Sequence, residues 1–325
     1  MKTGKSKVTA ISLVFSTSII VLLLTPNFSL LAGNPLIYAS STLSNSTSLK
    51  NTNTTASSSP SLLLENTEAK KIRVGDIEMA YKMFGNGPPL LLIMGSGGTM
   101  EEWDQTLLNI LSSNHTVIIF DKRGFGHSTF GFKNATIPQY ANDTKGLIDA
   151  IGVKEPINVL GMSLGGFIAQ ELALSYPEIV DRLVLFASGC GGKIAVAPVP
   201  LADNPIEQMK LLADGMFPDE WKKDHPNFLN YLPIPKVLPT PMSIQSEAQA
   251  LGSWIGSCDR LSNIINPTLV LVGADDRVTP PSYSIELVQK IHGAWLVQIE
   301  DGGHGVMYQY PEKVAKVIET FLQLA

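Results

Sequence analysis

The chain predicts an α/β fold: a mainly parallel sheet flanked by helices, with a helical cap inserted late in the sequence. Three observations carry this expectation. Short runs of Val, Ile and Leu recur from Ile72 onward, longer mixed segments of helical character separate them, and a single Pro-rich stretch interrupts the alternation. The 325 residues are 44% hydrophobic and 16% charged, a globular composition with enough length to bury a core without staples.

The N-terminal region stands apart from that fold. Lys2, Lys5 and Lys7 precede an apolar run from Val8 to Leu24 that ends at Pro26. This is the pattern of a secretory signal, and continued to Ala32 it is also long enough to cross a bilayer if uncut. Residues 1–39 are therefore expected to be a signal peptide or a membrane anchor, and both readings stay open. No Cys follows the run to accept a lipid. Residues 40–69 are dominated by Ser, Thr and Asn, bury little apolar surface and are expected to form a disordered linker. The protein is thus expected outside the cell or on the outer face of its membrane, with a tether to the bilayer if the segment is retained.

Residues 70–325 read as the folded domain. The runs Pro89 to Met94, Thr116 to Phe120, Ile157 to Leu160, Leu183 to Phe186 and Thr268 to Val272 each end at Gly, Asp or Ala-Ser-Gly. Continuous apolar runs of this length suit strands covered on both faces. Phe167 to Tyr176 and Ser282 to Ile291 read as connecting helices. Between Pro198 and Pro241 lie nine of the 21 prolines, together with Trp221 and Tyr231, and no strand run. That stretch predicts a cap over about 192–256.

In such sheets chemistry gathers at the carboxyl ends of the strands. Gly161-Met162-Ser163-Leu164-Gly165 follows one strand and opens a helix. Small residues on both sides allow a turn tight enough to present Ser163 as a nucleophile above the sheet. A serine needs a base, and the base needs an orienting acid. Of the five histidines, His304 stands in a glycine-rich loop after the strand Trp295 to Ile299, and His127 is its competitor. Asp275 and Asp276 follow the strand that ends at Gly273. Adjacent carboxylates cannot both face one imidazole, so the other is expected to cap the next helix or pair with Arg277. An oxyanion needs donors. The N–H of Leu164 is one, and the glycine-flanked loop Met94 to Gly98 is expected to give a second.

Together these segments resemble the α/β-hydrolase superfamily over Ile72 to Ala325. Asp121-Lys122-Arg123-Gly124-Phe125-Gly126-His127-Ser128 is similar to the D-x-R-G-x-G-x-S loop of its esterase, enol-lactonase and proline-iminopeptidase-like branches. The resemblance implies that His127 is a loop residue and His304 the base. It implies Asp276 as the acid, since Pro280 follows four residues later, and Ser96 as the second oxyanion donor, although Met94 stands where the family carries His. A serine at 163 also sets aside the Asp-nucleophile dehalogenases and epoxide hydrolases of the fold.

The function expected is hydrolysis of an ester, lactone or related acyl bond by a carboxylesterase-like serine hydrolase. Perhydrolase or proline-iminopeptidase-like activity, and a small-ligand receptor without turnover, are the alternatives. The partner is a small acyl substrate. No metal constellation is visible and the chemistry needs no cofactor. With 24 basic against 29 acidic residues and no basic run, nucleic acid is not an expected partner. Cys190 and Cys258 fall near the two ends of the cap, and whether they pair stays open.

Overall fold

The computed structural model describes residues 67–191 and 213–324, together with Ile20–Leu22, Leu64, Val196–Pro198 and Lys210. The expected signal or anchor, the linker and the first part of the cap lie largely outside the described residues. Among these residues no helix is long and apolar enough to cross a membrane. Ile20–Leu22 and Val196–Pro198 pair antiparallel in a small separate ribbon.

The main sheet has eight strands: β1 (Lys70–Val74), β2 (Ile77–Phe84), β3 (Pro89–Ile93), β4 (Thr116–Phe120), β5 (Ile157–Met162), β6 (Val180–Phe186), β7 (Thr268–Gly273) and β8 (Trp295–Ile299). Their order is β8-β7-β6-β5-β3-β4-β2-β1. β3 to β8 run parallel, while β1 and β2 form an antiparallel hairpin whose second strand pairs antiparallel with β4. From β1 and β2 at one edge the sheet continues at β3, returns to place β4 between β3 and β2, and then builds outward from β5 to β8.

The period of two along a strand explains why the central runs are apolar throughout. Leu91 and Ile93 of β3 face one layer with Ile118, Val159, Leu183 and Val270. Leu90 and Leu92 face the other with Ile119, Leu160, Val184 and Leu271. The first layer is completed by α2 (Ile137–Ala150) and α3 (Leu164–Ser175), which contribute Leu147, Ile168 and Leu172. The second is completed by α1 (Gln105–Leu111) and by the C-terminal helix, whose Val314, Ile318 and Phe321 are buried. The exposed positions of β1 carry Lys70, Lys71 and Arg73, charges that keep this free edge from recruiting another strand.

The connection from β6 to β7 leaves the sheet and holds α4 (Asp219–Asp224) and α5 (Pro241–Ser253). α5 starts at Thr240, whose hydroxyl accepts the Ser243 N–H, with Pro at the first helical position. After β7, α6 (Pro281–Lys290) leads to β8, then α7 (Val306–Gln309) and α8 (Pro311–Gln323) close the chain. Cys190 and Cys258 are joined by a disulfide, their Cα atoms 4.9 Å apart, within the usual span for such a bond. The bridge ties the two ends of the β6–β7 excursion together.

Candidate active site

Ser163 sits between β5 and α3 with φ 53° and ψ −120°, a conformation that costs a non-glycine residue about 1–3 kcal/mol. The surroundings hold it there. Its N–H donates to Phe186 O at 2.8 Å, and its carbonyl accepts Gly166 N–H at 2.9 Å and Ser188 Oγ–H at 2.8 Å. The flanking glycines are a matter of space. A Cβ on Gly161 would lie 2.3 Å from Gly165 O, and one on Gly165 would lie 2.0 Å from Ile93 O. The turn closes only because neither position carries a side chain.

Sheet register brings the next two residues to the same edge. Met162 is level with Phe186, Phe186 with Leu271, and Gly273 with Ile299. The loops after β5, β7 and β8 therefore leave from one carboxyl end. Asp276, in the loop after β7, is buried and has four hydrogen bonds. Oδ1 accepts the Val278 and Thr279 N–H groups at 2.8 Å each, and Oδ2 accepts Thr279 Oγ1–H at 2.8 Å and His304 Nδ1 at 2.9 Å. His304 is 6% exposed. Its loop is held where Gly303 N–H donates to Gln309 Oε1 and Gly305 N–H to Met216 O. The structure thus joins Asp276 to His304 directly. Among the described residues no hydrogen bond links Ser163 Oγ to His304, as is common before substrate tightens a site.

Asp275 departs from expectation. It is exposed, and it neither caps α6 nor pairs with Arg277, which reaches Asp219 of α4 at 2.9 Å instead. Arg277 has its partner in Asp219, and α6 starts behind Pro280 without a side-chain cap.

The loop after β3 lies beside the nucleophile, since a Cβ on Gly95 would meet Ser163 Cβ at 3.2 Å. Leu164 N–H is at the first position of α3, where no intrahelical acceptor exists. Among the described residues Ser96 N–H also has no acceptor, while Gly97 N–H donates to Glu247 Oε2 at 2.6 Å. Ser96 Oγ–H donates to the same oxygen at 2.7 Å. From below, Lys122 Nζ donates to the carbonyls of Gly95 at 2.6 Å, Gly98 at 3.2 Å and Met94 at 3.3 Å.

The loop after β4 is structural. Asp121 Oδ1 accepts Met100 N–H and Oδ2 accepts His127 N–H, each at 2.8 Å, and burial pushes its carboxyl above the usual range. His127 is thus held in this loop through its backbone N–H. Arg123 forks onto both Asp76 and Asp143 with bonds of 2.8–2.9 Å, fixing β1–β2 and α2 against this loop. The guanidinium hydrogen bonds hold the Asp76 carboxyl far below its ordinary value, aided by the Phe132 and Lys133 amides and opposed by burial.

Three participants escaped the sequence reading. Thr279 bridges Asp276 and His304, at 2.8 and 3.2 Å; its place three residues after the acid was a usable signal. Lys122 was visible only as a loop residue, and Glu247, far away on α5, gave no signal at all. Among the described residues one group has metal-ligand proximity, Cys190, Cys258 and Glu286, and its two sulfurs are spent on the disulfide.

The parallel strand order and the helices on both faces are those of the α/β-hydrolase fold. A model described as Alpha/beta hydrolase family matches residues 90–317, and the chain belongs to that family. A protein of Azorhizobium caulinodans to which carbamate hydrolysis is ascribed is 28% identical over 247 residues, 73% of this chain and 92% of that one. The 2-hydroxy-6-oxononadienedioate/2-hydroxy-6-oxononatrienedioate hydrolase of a Pseudomonas species is 25% identical over 256 residues, 73% of this chain and 89% of its own length. Among solved structures, a thermophilic esterase from Thermogutta terrifontis has a TM-score of 0.67 at 25% identity, covering 79% of this chain and 98% of that one. Family and relatives together support hydrolase activity on this fold.

Proposed function

We propose that the chain is a serine hydrolase that cleaves an ester, lactone or related acyl bond. The observation that carries this reading is the placement of Ser163, held at positive φ, on the same strand-end edge as the hydrogen-bonded Asp276–His304 pair. Ser163 Oγ attacks the acyl carbonyl and its proton passes to His304 Nε2. Asp276 holds the Nδ1–H tautomer and stabilises the imidazolium. The tetrahedral oxyanion is met by the N–H groups of Leu164 and Ser96, each worth ~10²–10³ in rate. His304 returns the proton to the leaving group, and a water molecule then repeats the cycle on the acyl-enzyme. The names of the relatives, a carbamate hydrolase, a hydrolase of 2-hydroxy-6-oxononadienedioate and an esterase, agree with attack on a carbonyl carbon. The test is covalent labelling by a fluorophosphonate. Label at Ser163 that disappears in Ser163→Ala is the expected result, and an unlabelled wild-type protein overturns the mechanism.

We also propose that the protein is extracellular or anchored on the outer face of the cell membrane. This placement is supported by the basic residues ahead of the Val8 to Leu24 run and by the Cys190–Cys258 disulfide, which persists in oxidising compartments. Fractionation of the native source with thiol blocking before any reduction tests this. Cytoplasmic protein with two reactive thiols would refute it.

A further inference from the structure

Glu247 lies on α5, 1% exposed, in the excursion between β6 and β7. Its Oε2 accepts Ser96 Oγ–H at 2.7 Å and Gly97 N–H at 2.6 Å, and its Oε1 stands 3.4 Å from Lys122 Nζ. Lys122, also buried, donates to the carbonyls of Gly95, Gly98 and Met94 of the same turn. The turn from Met94 to Gly98 is therefore held by a buried ion pair, the anion from α5 taking its Ser96 hydroxyl and Gly97 amide and the cation from the loop after β4 taking its carbonyls. Desolvating such a pair is expensive, and an apolar pair of similar volume would be as stable or more so. What an apolar pair could not do is fix a peptide. Gly97, at φ 72°, directs its N–H onto Glu247, while the neighbouring Ser96 N–H has no acceptor among the described residues.

We propose that Glu247 is a positioning residue for the oxyanion hole, so that seating α5 and orienting the Ser96 N–H are one event. This rests on the serine-hydrolase reading.

The test compares Glu247→Ala and Glu247→Gln with wild type on a p-nitrophenyl ester. A second readout is inhibition by an alkyl boronic acid, in which Ser163 Oγ bonds to boron as its proton moves to His304, giving a tetrahedral anion. Glu247→Ala is expected to lower kcat about 10²-fold with KM within about threefold, and to weaken boronic acid inhibition by a similar factor. Glu247→Gln keeps an acceptor for Gly97 N–H and should recover about tenfold of the kcat loss. If the alanine variant does not fold, the glutamine variant decides alone, with an expected kcat roughly tenfold below wild type. Unchanged kcat in the variants that fold, or a loss confined to KM, overturns the proposal. A wild-type protein that takes no fluorophosphonate at Ser163 overturns the serine reading and this inference with it, a failure seen before any Glu247 variant is made.

Discussion

Asp276 accepts two backbone amides, one hydroxyl and the His304 imidazole, and this full set of partners sets what substitution there will do. An amide at the position would turn an N–H toward Nδ1 and invert the tautomer. Asp276→Asn should therefore cost on the order of 10⁴ in kcat, while the exposed Asp275→Asn should change it less than about threefold, both read by steady-state ester hydrolysis. Ser163→Ala should lose ~10⁴–10⁶ of turnover with an unaltered circular dichroism spectrum. Asp76 offers a test on stability. Removing one partner of the buried Arg123 fork, as in Asp76→Asn, should cost about 3–5 kcal/mol at neutral pH. Because Arg123 depresses the folded-state value of Asp76, its contribution is complete above the ordinary carboxylate value of about 4 and is lost as pH falls below that. Urea midpoints of wild type and variant should thus converge on acidification. A gap that stays constant to pH 3 would refute this account.

At the scale of elements, the elbow glycines make the sharpest prediction. Gly165→Ala drives a Cβ to within 2.0 Å of Ile93 O on β3, and backbone cannot swing aside as a side chain end can. The variant should lose at least 1–3 kcal/mol and its fluorophosphonate label together. Parallel strands were legible because burial on both faces makes them continuous apolar runs; Thr116–Phe120 begins and ends where its run does. The β1–β2 hairpin escaped that criterion. Ile77 is buried next to exposed Glu78, and Gly75 with Asp76 makes a two-residue turn that pairs Val74 with Ile77. The hairpin signal was present, but it was a signal of alternation, not of apolar runs. Among the candidate site residues, Ser163 and His304 announced themselves by glycine-flanked loops after strands. Glu247 could not, since an acidic residue in a Ser- and Gln-containing helix looks like a solvated face until tertiary packing lays it on the Gly97 amide.

At the scale of the whole molecule, the Cys190–Cys258 bond closes a loop of sequence separation 68. In the chain-entropy model such a closure contributes about 4 kcal/mol by restricting the unfolded ensemble. Cys190→Ser/Cys258→Ser should lower Tm by on the order of 10 °C for a domain of this size, measured by thermal melts without reductant. Equal melting temperatures would show that the bridge adds nothing. The bond has a topological consequence as well. A chain cut by a protease anywhere within that ring, at exposed Lys223 or Lys236 for example, still has its two pieces covalently connected, one carrying Ser163 and the other Asp276 and His304. Nicking converts the polypeptide into a two-chain molecule without separating its halves. On an electrophoresis gel it would migrate as one band until a reducing agent splits it into two.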